Sequence, residues 1–191
     1  MQYLKKILGD RIYLSPRGAS DEEVENYTKW KNDFKVTDYT GRSAYMRTEQ
    51  EEREWLEKSA IEGKDRNFSI IELKNNKLIG TIRLEKINWI ARNASLGIYI
   101  GDENYRNKGY GQEAVKLILE FGFKYLNLHS IQLELIEVNK RAHECYLKCG
   151  FKDTGRKREE LWVNGKYYDN LYMDILENEF EGNYIRNKEI E

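Results

Sequence analysis

Tyr105 to Ala114 reads YRNKGYGQEA. Gly109 and Gly111 are separated by Tyr110, follow Arg106 and Lys108, and stand directly before a long apolar-periodic run. Bare backbone, positive charge and a helix start meet here, and that combination suits anion binding. The first amides of a helix have no internal partners, and the helix dipole places partial positive charge at that end. A phosphate is received there. Glycine has no Cβ to hold a ligand away, and Gly109 is free to take positive φ. The amides of Asn107, Lys108, Gly109, Tyr110, Gly111 and Gln112 can therefore cradle a pyrophosphate, with Arg106 and Lys108 adding charge. The pattern is neither a P-loop nor the dinucleotide fingerprint. Taken alone, it reads equally as a tight strand-to-helix turn with solvated basic residues.

A second constellation lies downstream. Asn139 ends one apolar run and opens a helical one, a good N-cap position. Tyr146, seven residues on, shares its helix face. Its plainer reading is a core aromatic with a satisfied hydroxyl. Cys145 and Cys149 flank it and read as buried helix cysteines, because a nucleophilic thiol wants a paired base and His143 falls on another face.

Both constellations need elements to position them. RIYLSP (11–16) alternates and reads as a strand. Ser20 with Glu23, and Thr48 with Glu51, mark the starts of two helices, the second stopped by Gly63. NFSIIEL, KLIGTIRLEKI and ASLGIYIG are β-rich runs broken at turns. From Gly109 to Asn127 the period turns helical. SIQLELIEV (130–138) is a strand, and NKRAHECYLKCG a short helix ending at Gly150. FKDTGRKREELWVNGKYYDNLYMDIL holds two strands around Asn164-Gly165. The order is β, α, α, β, β, β, α, β, α, β, β, a mixed α/β layer protein.

Composition bounds the reading. The chain has 191 residues, near the prior for one domain, so 1–191 is read as one unit with a polar tail at 177–191 that frays. Its 32 basic residues face 33 acidic ones for a net charge of −1, which argues against broad phosphate neutralisation and hence against a nucleic-acid partner. No apolar run approaches a membrane span, and the first residues, MQYLKKILGDRIYL, lack the pattern of a secretory signal. The two cysteines form neither a disulfide framework nor a metal signature. A cytoplasmic protein without a metal is the expectation.

Together the constellations are sharper than either alone. A strand, Arg-x-x-Gly-x-Gly, a long helix, a strand ending in Asn, a helix carrying Tyr, then Gly150-Phe151 resembles the GNAT superfamily of acyl-CoA-dependent N-acetyltransferases. RIYLSPRGASDEEVENYTKWKND and LWVNGKYYDNLYMDIL are similar to the beginning and end of its branch that acetylates ribosomal-protein N-termini and polyamines, so the resemblance covers about 11–176.

The resemblance implies a mostly antiparallel twisted sheet flanked by helices. In it the fourth strand (about Ser95 to Ile100) carries a bulge and splays from the fifth (about Ile131 to Val138). It implies acetyl-CoA as cosubstrate in the resulting cleft. The pantetheine arm would pair with the backbone of Ile98, Tyr99 and Ile100, an amide near Ile98 would serve as oxyanion donor, and Asn139 would bond to the arm. Tyr146 is implied as the general acid that protonates the leaving thiolate after direct attack by a primary amine. The acceptor is left open among protein N-termini, polyamines and other small amines, and a homodimer is an assembly the resemblance allows. No general base is assigned: Glu85, Glu103 and Glu134 each read as solvated or paired carboxylates. A non-catalytic acyl-CoA-binding sensor on the same fold is the alternative.

Overall fold

A computed structural model describes residues 3–188. The elements are β1 (Ile7–Leu8), β2 (Ile12–Pro16), α1 (Asp21–Lys31), α2 (Phe34–Thr37), α3 (Glu49–Glu62), β3 (Arg66–Glu72), β4 (Lys77–Asn88), β5 (Asn93–Ile100), α4 (Tyr110–Glu120), β6 (Ser130–Ile136), α5 (Lys140–Lys148), β7 (Lys152–Val163) and β8 (Lys166–Leu176). Local chemistry sets their ends. Ser20 and Thr48 each close a capping box, with Glu23 and Glu51, and Gly63 ends α3 in the left-handed region at φ 58°. Asn164 and Gly165 both take positive φ, as the tight β7–β8 hairpin requires.

The strands form one sheet in the order β1-β2-β3-β4-β5-β6-β8-β7. Among the described residues only the β5–β6 pair is parallel. Because the short β1 precedes it, the strand at 11–16 is β2, and the splaying pair is β5 and β6. α4 and α5 cover one face of the sheet, where Ile82, Leu84, Leu96, Ile118, Leu133, Tyr146 and Phe151 share a core. α1 and α3 cover the other, with Tyr13, Val24, Tyr27, Leu56, Ile71 and Leu78. Each fully buried Leu or Ile contributes about 1.5–3 kcal/mol. No helix among the described residues is long and apolar enough to cross a membrane.

The expectation that 177–191 frays is corrected for 177–188. Ile185 is buried, the Glu120 carboxylate accepts the amides of Tyr184 and Ile185, and the Arg186 amide donates to the Leu8 carbonyl. Apolar Phe180, Tyr184 and Ile185 give this polar segment enough buried surface to dock. Residues 189–191 lie outside the described residues.

Candidate active site: a splayed sheet edge beside a helix start

β5 and β6 pair only through Asn93↔Ser130, Ala94↔Ile131 and Ser95↔Gln132, although β5 runs on to Ile100 and β6 to Ile136. Beyond Ser95 the strands separate and leave an open edge. The alternation of an antiparallel ladder tells which groups face it. The Gly101 amide donates to Ile79 on β4 at 3.0 Å, and the Tyr99 carbonyl lies against Gly80. Residues 97, 99 and 101 therefore turn their polar groups to β4. Ile98 and Ile100 turn theirs to the open side.

Of the three residues expected to offer backbone there, Ile98 and Ile100 do so, and Tyr99 instead carries its side chain to the α1 side, edge-on to Trp30 at 6.1 Å. The bulge expected within 95–100 is absent. The register is unbroken from Gly80↔Ile100 to Glu85↔Ser95, and the irregularity falls between Glu85 and Asn88, where Lys86 has φ 55°. The strands separate without a bulge because β6 diverges while β5 stays on β4.

The loop from Asp102 to Gly109 carries β5 into α4. Gly109 is the N-cap at φ 83°, and Asn107 is also left-handed at φ 58°. The first helical bond runs from the Glu113 amide to the Gly109 carbonyl at 3.0 Å. Among the described residues no amide from Asn107 to Gln112 has a protein partner. A row of free amides at a dipole's positive end fits a pyrophosphate. A Cβ at Gly111 would stand 3.7 Å from Ile100 Cγ1, so this row adjoins the open edge.

The charges around the loop differ from the sequence-based expectation. Arg106 turns inward, Nε donating to the Ile100 carbonyl at 2.9 Å and Nη2 to that of Gly101 at 2.6 Å. It anchors the loop to β5, which leaves Ile98 N–H and C=O and Ile100 N–H at the open edge. Lys108 remains exposed. The cation at the helix start is one the sequence reading missed: Arg11, immediately before β2. Its Nη2 lies 3.1 Å from where a Gly109 Cβ would stand, Nη1 donates to the Lys108 carbonyl at 2.9 Å, and its guanidinium covers the Tyr110 ring at 4.6 Å. Only the β2–α4 packing reveals it, because no local spacing links Arg11 to residue 109.

Asn139 is the N-cap of α5, Oδ1 accepting the Ala142 amide at 3.2 Å, while Nδ2 donates to the Tyr39 carbonyl at 3.0 Å. This second bond ties α5 to the 38–47 segment, which also reaches Leu161 of β7 at Gly41 and touches β6. Tyr146 is buried, its ring 5.8 Å from Phe151. Burial, reinforced by Cys145 and Cys149, pushes its phenol well above the usual range. Its hydroxyl has no hydrogen-bond partner among the described residues. The Cys149 thiol sits 3.8 Å from the Gln112 carbonyl, so α5 abuts the first turn of α4 and Tyr146 shares a side of the sheet with the free amides. Cys149 is buried and Cys145 half-buried, and His143 pairs with Asp153 at 2.8 Å rather than with a thiol.

The three carboxylates considered as bases are occupied or remote. Glu85 takes Arg83 at 2.6 Å, Glu134 accepts Asn170 at 3.3 Å, and Glu103 stands exposed near Lys35.

Comparison with known proteins matches this geometry. The acetyltransferase (GNAT) domain profile matches residues 11–152. Over 116 residues, 61% of this chain, the sequence is 35% identical to a spermidine N(1)-acetyltransferase of Vibrio cholerae. A putative ribosomal N-acetyltransferase of Bacillus subtilis is 28% identical over 110 residues, 58% of this chain. The matched stretches span 66% and 60% of those relatives' lengths, under two thirds of each. In three dimensions, the spermidine N-acetyltransferase of Vibrio cholerae in complex with CoA and spermine superposes with a TM-score of 0.80 at 28% identity, covering 88% of this chain and 97% of that one.

Proposed function

This chain belongs to the acetyltransferase (GNAT) family, and from that premise we propose that it moves an acetyl group from acetyl-CoA to a primary amine by direct attack on the thioester. One observation carries the reading: the open β5 edge at Ile98 and Ile100 adjoins the free amides of 107–112, with Tyr146 on the same side of the sheet. An extended arm with amide groups suits an unpaired strand edge, and a pyrophosphate suits the helix start.

Residue roles follow from these positions. The amides of Asn107 to Gln112 hold the pyrophosphate, with Arg11 fixing the loop and Lys108 adding charge at the surface. Ile98 and Ile100 hold the arm, and the Ile98 amide faces the thioester oxygen as negative charge develops there. Asn139 places the start of α5, and with it Tyr146. The Tyr146 hydroxyl stays protonated at neutral pH because burial opposes the phenolate. It therefore has a proton to give to the departing sulfur. The amine arrives from the opposite face, beneath α1 and the 38–47 segment.

The reading is tested by thiol release from acetyl-CoA with a panel of amines. Amine-dependent release supports it. Tight acetyl-CoA binding without release to any amine would favour a sensor.

A further inference from the structure

The face of the sheet from which the amine arrives carries two lateral rows of side chains. Ser15↔Ser69, Ser69↔Thr81 and Thr81↔Tyr99 form one. The Arg17 amide donates to the Asn67 carbonyl at 3.0 Å, and Asn67↔Arg83 and Arg83↔Gly97 complete the other. Residues directly opposite one another share a face, so Arg17 and Arg83 point the same way and the second row ends at Gly97, the position before Ile98.

Gly97 leaves room that Arg83 fills. Its guanidinium lies over the glycine, with Cζ 2.9 Å from where a Cβ would be. Arg83 thereby reaches the lip of the cleft. Glu85 holds its Nε and Nη2, at 2.6 and 3.3 Å, and leaves Nη1 free among the described residues. Arg17 is half-buried, stacked on Trp55 at 4.5 Å, with Nη2 on Ser59 Oγ at 3.3 Å. It meets no carboxylate among the described residues. The nearby buried carboxylate, Glu52, gives both oxygens to Lys31 at 2.6 and 2.7 Å. Arg17, Arg83 and Arg42 all act on the Tyr99 phenol, which burial and Glu52 push upward and these arginines pull down.

On the opposite lip Glu134 of β6 and Glu160 of β7 share Asn170. Tyr172 donates to Glu160 at 2.8 Å and Lys157 pairs with it at 2.5 Å, so Glu134 is the carboxylate there without a cation among the described residues. A half-buried arginine without a carboxylate is poorly screened and favours an anion.

Resting on the acetyl-transfer reading, we propose that the acceptor is an amine that also carries an anionic group, a carboxylate or a phosphate, held by Arg17 and Arg83. Its ammonium end lies toward Glu134 and the thioester. A polyamine, cationic at both ends, meets the wrong charge on the Arg17 side. The proposal thus separates this chain from the spermidine acetyltransferases it resembles.

The test uses matched pairs of amines: β-alanine against diaminopropane, and phosphoethanolamine against ethylenediamine. Thiol release and calorimetric binding, in the presence of CoA, are measured for the wild type, Arg17→Gln and Arg17→Lys. Charge-assisted bonds of this kind are worth roughly tenfold to a hundredfold in affinity. The expected result is that the anionic member of at least one pair binds and turns over at least about tenfold better, that Arg17→Gln closes the gap, and that Arg17→Lys restores part of it. Which pair responds distinguishes carboxylate from phosphate. Equal or better binding of the diamines overturns the inference, and their turnover leaves acetyl transfer standing. Selective binding of an anionic amine without release from any amine overturns acetyl transfer and leaves the anion site standing.

Discussion

Arg11 and Glu113 lie 102 positions apart and meet at 2.9 Å, Nε to Oε2. The same carboxylate accepts the amides of Asp10 and Arg11 at 2.9 and 2.8 Å. The first turn of α4 is thus clamped to the beginning of β2, with Arg11 reaching on to the Lys108 carbonyl. Arg11→Gln should weaken acetyl-CoA binding roughly tenfold, since bonds to charged groups are worth about 1.5–3 kcal/mol and partial exposure reduces that. Calorimetry checks it, and a dissociation constant within a factor of about two of the wild type would remove Arg11 from the loop's support.

Gly109→Ala should cost more binding than stability. At φ 83° an alanine is strained by about 1–2 kcal/mol, and its Cβ would stand 3.1 Å from Arg11 Nη2. The melting temperature should fall by a few degrees while acetyl-CoA affinity falls by more than about tenfold. Wild-type affinity would refute the amide cradle.

Tyr146→Phe removes a proton donor and little volume. kcat should fall about a hundredfold or more, with acetyl-CoA affinity unchanged. Because the phenol is raised, kcat of the wild type should show no tyrosine limb below about pH 10. An unchanged kcat across pH would assign the proton to water.

Lys31 should titrate near pH 8, below an ordinary lysine. Burial lowers it from 10.5 to about 8, with Glu52 opposing the shift and Arg17 and Arg47 adding to it. A folded-state value below the unfolded one means the unfolded chain binds more protons between the two, so this group makes stability rise with pH from about 8 to 10.5. NMR of labelled lysines should show one resonance inflecting near pH 8, missing in Lys31→Arg. No such resonance would contradict the burial of this ammonium.

Gly97→Ala tests how far Arg83 reaches. The added methyl must displace a guanidinium whose Cζ is 2.9 Å away. The backbone tolerates alanine here, so the melting temperature should change little. The preference for anionic acceptors should drop several-fold, and an unaltered preference would place recognition on Arg17 alone.

The sequence by itself determined what is local. Capping boxes at Ser20 and Thr48, the Asn164-Gly165 turn and the glycines of the 109–111 helix start depend on neighbours within a few residues, and each stands as read. The order of the longer strands and helices followed from periodicity, whereas β1 and α2, of 2 and 4 residues, are too short to show a period. The paired motifs around Gly109 and Tyr146 pointed to the family. Tertiary structure decided everything that crosses the sheet. Arg11 reaches Gly109 only because β2 and α4 are packed together, and Arg106 turned inward because the Ile100 and Gly101 carbonyls needed donors. The 177–188 segment docked because a few apolar residues outweighed its polar composition. The line from Arg17 through Asn67 and Arg83 to Gly97 joins four separate stretches of chain. Its register is set by hydrogen bonds between strands, which no single stretch of sequence contains.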